Sequence, residues 1–109
     1  AITADMDSLR ARMVPDPEQP SDVAGPWRYA SLVDDPFEAG IWEAPVDSWR
    51  EDGYPVDEFI VIVEGHLRLI EDDGTVLDLH AGDLGFVPQG WAGIWEVVEP
   101  VRKAYVVTS

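Results

Sequence analysis

The stretch DEFIVIVEGHLRLIEDDG, residues 57–74, decides the fold of this chain. Asp57 and Glu58 lead into a run of large apolar residues, an EG pair interrupts the run, and a second apolar run ends in DDG. A carboxylate that enters a protein core costs several kcal/mol unless it is paired or holds a metal. Glu58 therefore either lies outside the fold or points into it with a partner.

Two hairpins are predicted from the turn signals in this stretch. Residues 59–63 and 67–70 flank the loop Glu64-Gly65-His66, in which a glycine is available for a positive φ. A second hairpin is predicted around EDDGT, with Gly74 at its turn.

The segment FIVIV, residues 59–63, is apolar at every position. A strand of this kind has both faces covered. In a two-sheet fold the opposite sheet covers one face, and a second chain or the N-terminal arm covers the other. An uncovered face would invite aggregation, so the pattern favours a homodimer.

The two ends of the chain differ in pattern. Residues 5–14 have the spacing of about two helical turns, and the prolines and glycines that follow end the helix. Residues 1–26 are therefore predicted to form an arm. In residues 27–109 short apolar runs alternate with turn clusters, which is typical of one all-β sandwich or barrel domain.

Composition excludes several functions. The 109 residues suit one domain, and 7 basic against 22 acidic residues give a net charge of −15. That charge argues against nucleic-acid and membrane partners. The chain has no cysteine, so it has neither disulfides nor a thiolate metal site. The sequence shows no apolar stretch of spanning length and no signal-peptide pattern, so we expect a cytoplasmic protein.

Two motifs resemble those of the cupins, a family of small β-barrels. Glu58 is followed by six residues and then Gly65, as in the second half of the first cupin motif. Gly82, Pro88 and Gly90 in GDLGFVPQG have the spacing of the second motif. The resemblance implies an all-β, cupin-type jelly-roll β-barrel (a double-stranded β-helix) with an N-terminal arm.

The metal ligands that the resemblance implies are mostly missing. The histidines of the two motifs would fall on Asp52, Tyr54 and Gly93, so only Glu58 remains of a set of three histidines and one glutamate. No metal cofactor is favoured. If a divalent ion binds, Asp52 and Glu58 are its predicted ligands, and two carboxylates without imidazole would suit Mg, Ca or Mn.

Other phrases, among them GIWE and VRKAYVV, are similar to small single-domain cupins related to ureidoglycine aminohydrolase and to the ethanolamine-utilisation cupin. Many short members of that group have no assigned reaction. The two histidines present, His66 and His80, lie outside the motif positions and are expected on the solvated surface. Trp27, Trp49 and Trp91 lie near turns, where we expect them to cap the barrel or to pack against a dimer partner.

Strand alternation predicts the site. If Glu58 points inward as the motif implies, every second residue after it does too, and Asp52 and Tyr54 share its parity. Lys103 and Tyr105 share one face of the last strand, and if that face is the inner one, Lys103 is the natural partner of Glu58. The candidate catalytic residues are Glu58, Tyr54 and Lys103, and the predicted pocket wall comprises Trp95, Trp42, Ile60, Ile62 and Tyr105.

Three functions are consistent with these residues. The first is a metal-free pocket that binds or transforms a small polar metabolite, in which Glu58 is a usable general acid or base. The second is a metal-dependent hydrolase similar to ureidoglycine aminohydrolase. The third is a non-catalytic sensor or accessory protein whose ion pair is structural. The sequence leaves open whether the protein is an enzyme.

Overall fold

The computed structural model describes residues 1–108. Within that range one short helix, α1 (Met6–Ala11), precedes eight strands with antiparallel pairing. The strands are β1 (Val14–Pro15), β2 (Arg28–Val33), β3 (Glu38–Ala44), β4 (Asp47–Asp52), β5 (Asp57–Glu71), β6 (Val76–His80), β7 (Leu84–Val87) and β8 (Ala92–Thr108). Among these residues, no helix is long and apolar enough to cross a membrane.

Two long strands, β5 and β8, hold the barrel together. They pair with each other along nearly their whole length, and their two halves have different outer neighbours. The first half of β5 also pairs with β7 and the second half with β6, while the second half of β8 pairs with β3 and the first half with β4. The eight strands thus form one continuous sheet that bends along β5 and β8 around the main core, which confirms the all-β jelly roll.

The hairpin predicted at residues 64–66 is wrong. β5 continues through Gly65, and its register against β8 shifts there instead of reversing. Gly65 has a φ of 90°, and a Cβ at this position would collide with the backbone of Pro100. The glycine thus permits a bend at which two backbones approach closely, and a bend has the same local sequence signature as a tight turn.

The second predicted hairpin is confirmed. Ile70 of β5 pairs with Val76 of β6, and the Glu71 N–H donates to the Thr75 carbonyl at 2.8 Å. Gly74 has a φ of 91° in the turn.

The strand FIVIV has only one face covered by this chain. Ile60 and Ile62 are completely buried, whereas Phe59 is 43% and Val63 is 37% exposed. The N-terminal helix does not cover the outer face, because it packs elsewhere. Its cluster comprises Leu9, Met13, Ala30 and Ile41.

Candidate functional site

A cavity of about 600 Å³ lies inside the barrel. Four tryptophans and three tyrosines contribute to its walls, so a ligand would meet several aromatic rings. They are Trp27, Trp42, Trp49, Trp95, Tyr29, Tyr54 and Tyr105. Three of these, Trp42, Trp95 and Tyr105, were predicted as pocket wall, whereas Ile60 and Ile62 lie in the hydrophobic core and do not line the cavity.

Glu58 points into the barrel and is paired, which answers the question raised by the sequence. Lys103 lies on the inner face of β8 and its Nζ donates to Glu58 Oε2 at 2.6 Å. Tyr54 Oη donates to the other carboxylate oxygen. Glu58 is 2% and Lys103 5% exposed, so this is a buried, hydrogen-bonded ion pair. The structure thus brings the three candidate catalytic residues together.

Aromatic rings surround the ammonium group of this pair. Lys103 Nζ lies 4.5 Å from the ring centroid of Trp42 and 4.6 Å from that of Trp95. At these distances the negative faces of the rings attract a cation. Lys103 is therefore held by one carboxylate and two indole faces.

Tyr54 is a fixed, protonated donor. Its backbone N–H donates to the Trp91 carbonyl at 2.8 Å, and its ring stacks on Trp95 at a centroid distance of 5.7 Å. Burial raises the pKa of its phenol well above the ordinary value, and the negative charge of Glu58 raises it further. The hydroxyl group keeps its proton near neutral pH and serves as a hydrogen-bond donor to Glu58.

Asp52 does not reach the site. Its side chain is 75% exposed and accepts from Arg50 Nε at 2.7 Å. The predicted inward direction of Asp52 is wrong, because the turn at Gly53 breaks the strand alternation between Asp52 and Tyr54. The inward residue at the end of β4 is Glu51, which lines the cavity and which the sequence argument missed.

The other motif positions also lack ligands. A Cβ at Gly93 would lie 2.5 Å from the Ile70 carbonyl oxygen and 2.6 Å from the Trp91 ring, so this backbone leaves no room for a histidine. Glu58 is already bound to the ammonium of Lys103, which would repel a divalent ion. The donors at these positions therefore do not fit the histidine-rich cupin metal centre.

Two tryptophans lie in a different place from the one expected. Trp27 is 5% and Trp49 is 8% exposed, and their ring centroids are 4.4 Å apart in the cavity wall. Trp49 lies two residues before Glu51 on the same face of β4, so strand parity could have identified both residues. Trp91 is half-buried outside the cavity and donates from Nε1 to Glu71 at 3.0 Å.

Four carboxylates besides Glu58 line the cavity, and three of them, Asp16, Glu38 and Glu51, are here called the wall carboxylates. Each accepts a hydrogen bond from an aromatic side chain, and none forms an ion pair with another of residues 1–108. The bonds are Trp42 Nε1 to Asp16 at 3.0 Å, Tyr105 Oη to Glu38 at 3.4 Å and Trp49 Nε1 to Glu51 at 3.0 Å. Neutral donors orient these charges without cancelling them. Asp16 precedes β2, so no strand pattern could have placed it here.

The Glu51 carboxylate is predicted to destabilise the folded protein at neutral pH. Burial raises its pKa above the ordinary value of 4.5, although the Trp49 hydrogen bond opposes the shift. The folded protein therefore binds this proton more tightly than the unfolded chain does, and stability falls as the pH rises through the folded-state pKa. We expect Glu51→Gln to raise the melting temperature at about pH 7 and to leave it unchanged at about pH 4.

The matched control for this prediction is Glu99→Gln, which removes an exposed charge outside the cavity. Both variants are followed by thermal unfolding in low salt. An unchanged or lower melting temperature for Glu51→Gln at neutral pH would contradict the prediction.

Neither histidine lines the cavity. His80 is exposed as expected, but His66 is only 9% exposed, stacks on His80 at 4.1 Å and lies 2.6 Å from Asp78. Within the described part of the chain, these three residues form the one cluster whose ligand atoms could hold a metal, all lying within 4.8 Å of one another. Arg68 Nε donates to the same Asp78 oxygen at 3.0 Å, so an ion would compete with a guanidinium.

Comparison with known proteins identifies the family. The model of the EutQ-like cupin domain matches residues 33–105. This chain belongs to that family. The match confirms the sequence resemblance to the ethanolamine-utilisation cupin group. No curated protein matches this EutQ-like cupin significantly.

Solved structures agree with this assignment. A Pseudomonas syringae protein of unknown function from the DUF861 family is 28% identical, with a TM-score of 0.77 over 88% of this chain and 44% of that one. A Thermotoga maritima DUF861 protein is 35% identical, with a TM-score of 0.58 over 62% of this chain and 76% of that one. The Clostridium difficile EutQ protein is 24% identical, with a TM-score of 0.66, and shows likeness of fold alone. The alignment with EutQ covers 74% of this chain and 66% of that protein.

Proposed function

We propose that this EutQ-like cupin binds a small polar metabolite in its barrel without the histidine metal set of the superfamily. The observation that carries the proposal is the 600 Å³ aromatic cavity whose floor is the Glu58–Lys103 pair. A concave, mostly apolar site with a few convergent polar groups is the usual form of a small-molecule site.

Two unpaired donors support a polar ligand. The indole N–H groups of Trp27 and Trp95 are buried and have no hydrogen-bond partner among residues 1–108. Both residues line the cavity. Buried donors without partners are rare in native proteins, so an acceptor group on a ligand is a natural complement.

Binding fits this site better than proton transfer by Glu58. One carboxylate oxygen accepts from Tyr54 and the other from Lys103, so the carboxylate has no idle oxygen directed at a substrate. Glu58, Tyr54 and Lys103 remain the candidate catalytic residues. If the protein converts a ligand and Glu58→Gln abolishes that conversion, the protein is an enzyme. If the ligand is recovered unchanged, the protein is a sensor.

The proposal is tested on protein purified without chelators or a His-tag. Metal content is measured by elemental analysis, and thermal stabilisation is measured with a panel of small acids, amides and amines. We expect at least one of these classes of compound to raise the melting temperature of the protein. We expect no stoichiometric divalent ion whose binding requires Glu58. A stoichiometric ion that is lost in Glu58→Gln would overturn the proposal and favour the metal-dependent hydrolase.

A pair of matched variants shows whether stabilisation arises in the cavity. Val56 lines the cavity, whereas Val76 is exposed on β6 outside it. We expect Val56→Trp to abolish stabilisation by the ligand and Val76→Trp to preserve it. If the two variants change stabilisation by the ligand equally, the ligand binds outside the cavity.

We also propose that the protein forms a homodimer through the outer face of β5 and β7. Leu84 is 62%, Phe86 59% and Phe59 43% exposed, and Phe59 pairs directly with Phe86. This face is apolar on a chain with a net charge of −15, and a two-fold axis would place it against an identical apolar face. The partner is therefore a second copy of this chain.

Light scattering after size exclusion tests the dimer. We expect a dimer for the wild type and a folded monomer for Phe86→Glu, because the new charge would be buried at the interface. Leu77→Glu, at an exposed position on β6, is the control and is expected to remain dimeric. A monomeric wild type at micromolar concentration would contradict the proposal.

A further inference from the structure

The charges that line the cavity are unbalanced. Five acidic but only two basic residues contribute to it. Both basic side chains are already paired, Lys103 with Glu58 and Arg50 with Asp52 and Asp72 at 2.7 and 2.8 Å. An anionic ligand would therefore find no free cation among the described lining residues.

The wall carboxylates supply the uncompensated charge. Each accepts a hydrogen bond from a neutral aromatic donor, and none has an ion-pair partner among residues 1–108. Burial has already made the charged form of Glu51 less favourable than it is in water. A cation in the cavity would relieve this cost, because opposite charges attract more strongly where water is partly excluded.

The cavity already shows that it suits an ammonium group. The ammonium of Lys103 lies over the faces of Trp42 and Trp95. The neighbouring rings of Trp27 and Trp49 line the same cavity and have no cation over them among residues 1–108. Aromatic faces together with carboxylates form the usual recognition site for ammonium and alkylammonium ligands.

We infer that the ligand of this cavity is a small organic cation, whose ammonium or alkylammonium group binds beside the wall carboxylates and against the aromatic wall of the cavity. This inference rests on the proposed function, since it names the chemical class of the metabolite that the cavity would bind. It adds a positive charge to the acceptor group that the unpaired indole N–H groups of Trp27 and Trp95 favour.

The test uses three probes of nearly the same shape and different charge. They are tert-butylammonium, tert-butanol and pivalate, each of which carries the same tert-butyl group. Binding to the full chain is followed by NMR titration of the tryptophan indole N–H signals. Four of the five tryptophans line the cavity, and Trp91, which does not, is the internal control.

We expect tert-butylammonium to shift the four cavity signals and to leave the Trp91 signal in place. Glu51→Gln and Glu38→Gln are each expected to weaken its affinity by about tenfold, as loss of one charged partner does. Glu99→Gln removes the same charge from the exposed surface and is expected to bind like the wild type.

The outcomes separate this inference from the proposed function. If pivalate or tert-butanol shifts the cavity signals as strongly as the cation, the ligand class is wrong and the cavity still binds small molecules. If no probe shifts any cavity signal, both the inference and the proposed function fail. If the cation binds equally well to Glu51→Gln, Glu38→Gln and the wild type, the wall carboxylates do not recognise it and the inference is overturned.

Discussion

Replacing Lys103 with methionine is expected to destabilise the protein by about 3–5 kcal/mol, because it leaves a buried carboxylate without its counter-charge. Glu58 is 2% exposed and would retain only the hydrogen bond from Tyr54. Methionine has nearly the length of the lysine chain, so lost packing contributes little. The free energy of unfolding is measured by urea titration at neutral pH.

Replacing the other member of the pair, Glu58, with glutamine is expected to reduce the free energy of unfolding by a smaller amount. In Glu58→Gln the ammonium of Lys103 loses its carboxylate but keeps the faces of Trp42 and Trp95. Glutamine also retains an acceptor for Tyr54. We therefore expect Glu58→Gln to lower the free energy of unfolding by less than Lys103→Met does.

The double variant Glu58→Gln, Lys103→Met is the decisive control. It removes both charges, so we expect it to lie within about 1 kcal/mol of the wild type. Recovery of this kind would show that the pair is dispensable for folding and would point to a role for it at the cavity floor. A Lys103→Met variant as stable as the wild type would contradict the prediction.

Replacing Gly65 with alanine is the second change with a large expected effect. Gly65 has a φ of 90°, which costs a residue with a Cβ about 1–2 kcal/mol, and its Cβ would also collide with the backbone of Pro100. Backbone atoms at the bend of two paired strands cannot move without breaking the pairing. We expect a loss of more than about 4 kcal/mol, or failure to fold.

Gly74→Ala is the matched control for the bend. Gly74 has a φ of 91°, but a Cβ there would have no neighbour within 4 Å, so only the cost of the backbone conformation applies. Urea titration of the two variants therefore separates the cost of the positive φ from the cost of the collision with Pro100. Equal losses for Gly65→Ala and Gly74→Ala would show that the close approach to Pro100 does not constrain the bend.

Much of the predicted site was derived from the alternation of side chains along the strands. Because side chains alternate across a strand, the inward direction of Glu58 fixed the burial of Ile60 and Ile62, and Lys103 could be named as its partner before its face was known. The same rule failed at Asp52, because a turn breaks the alternation between β4 and the residues after it.

Local turn signals were less reliable than alternation. Gly74 and Gly65 have nearly the same φ, yet one lies in a hairpin turn and the other in the bend of a continuous strand. The difference depends on which strands lie alongside, and neighbouring residues in the sequence do not contain that information.

The sequence by itself predicted an all-β barrel from its short apolar runs, and its resemblance to the cupin motifs implied that Glu58 points inward, since these patterns are local properties of the chain. Only the tertiary structure decided that Lys103 reaches Glu58, that Asp16 joins Glu38 and Glu51 in the cavity wall, and that Gly65 marks a bend. These depend on contacts between segments far apart in the chain. The charge balance of the cavity, on which the identity of its ligand depends, therefore became visible only in the folded protein.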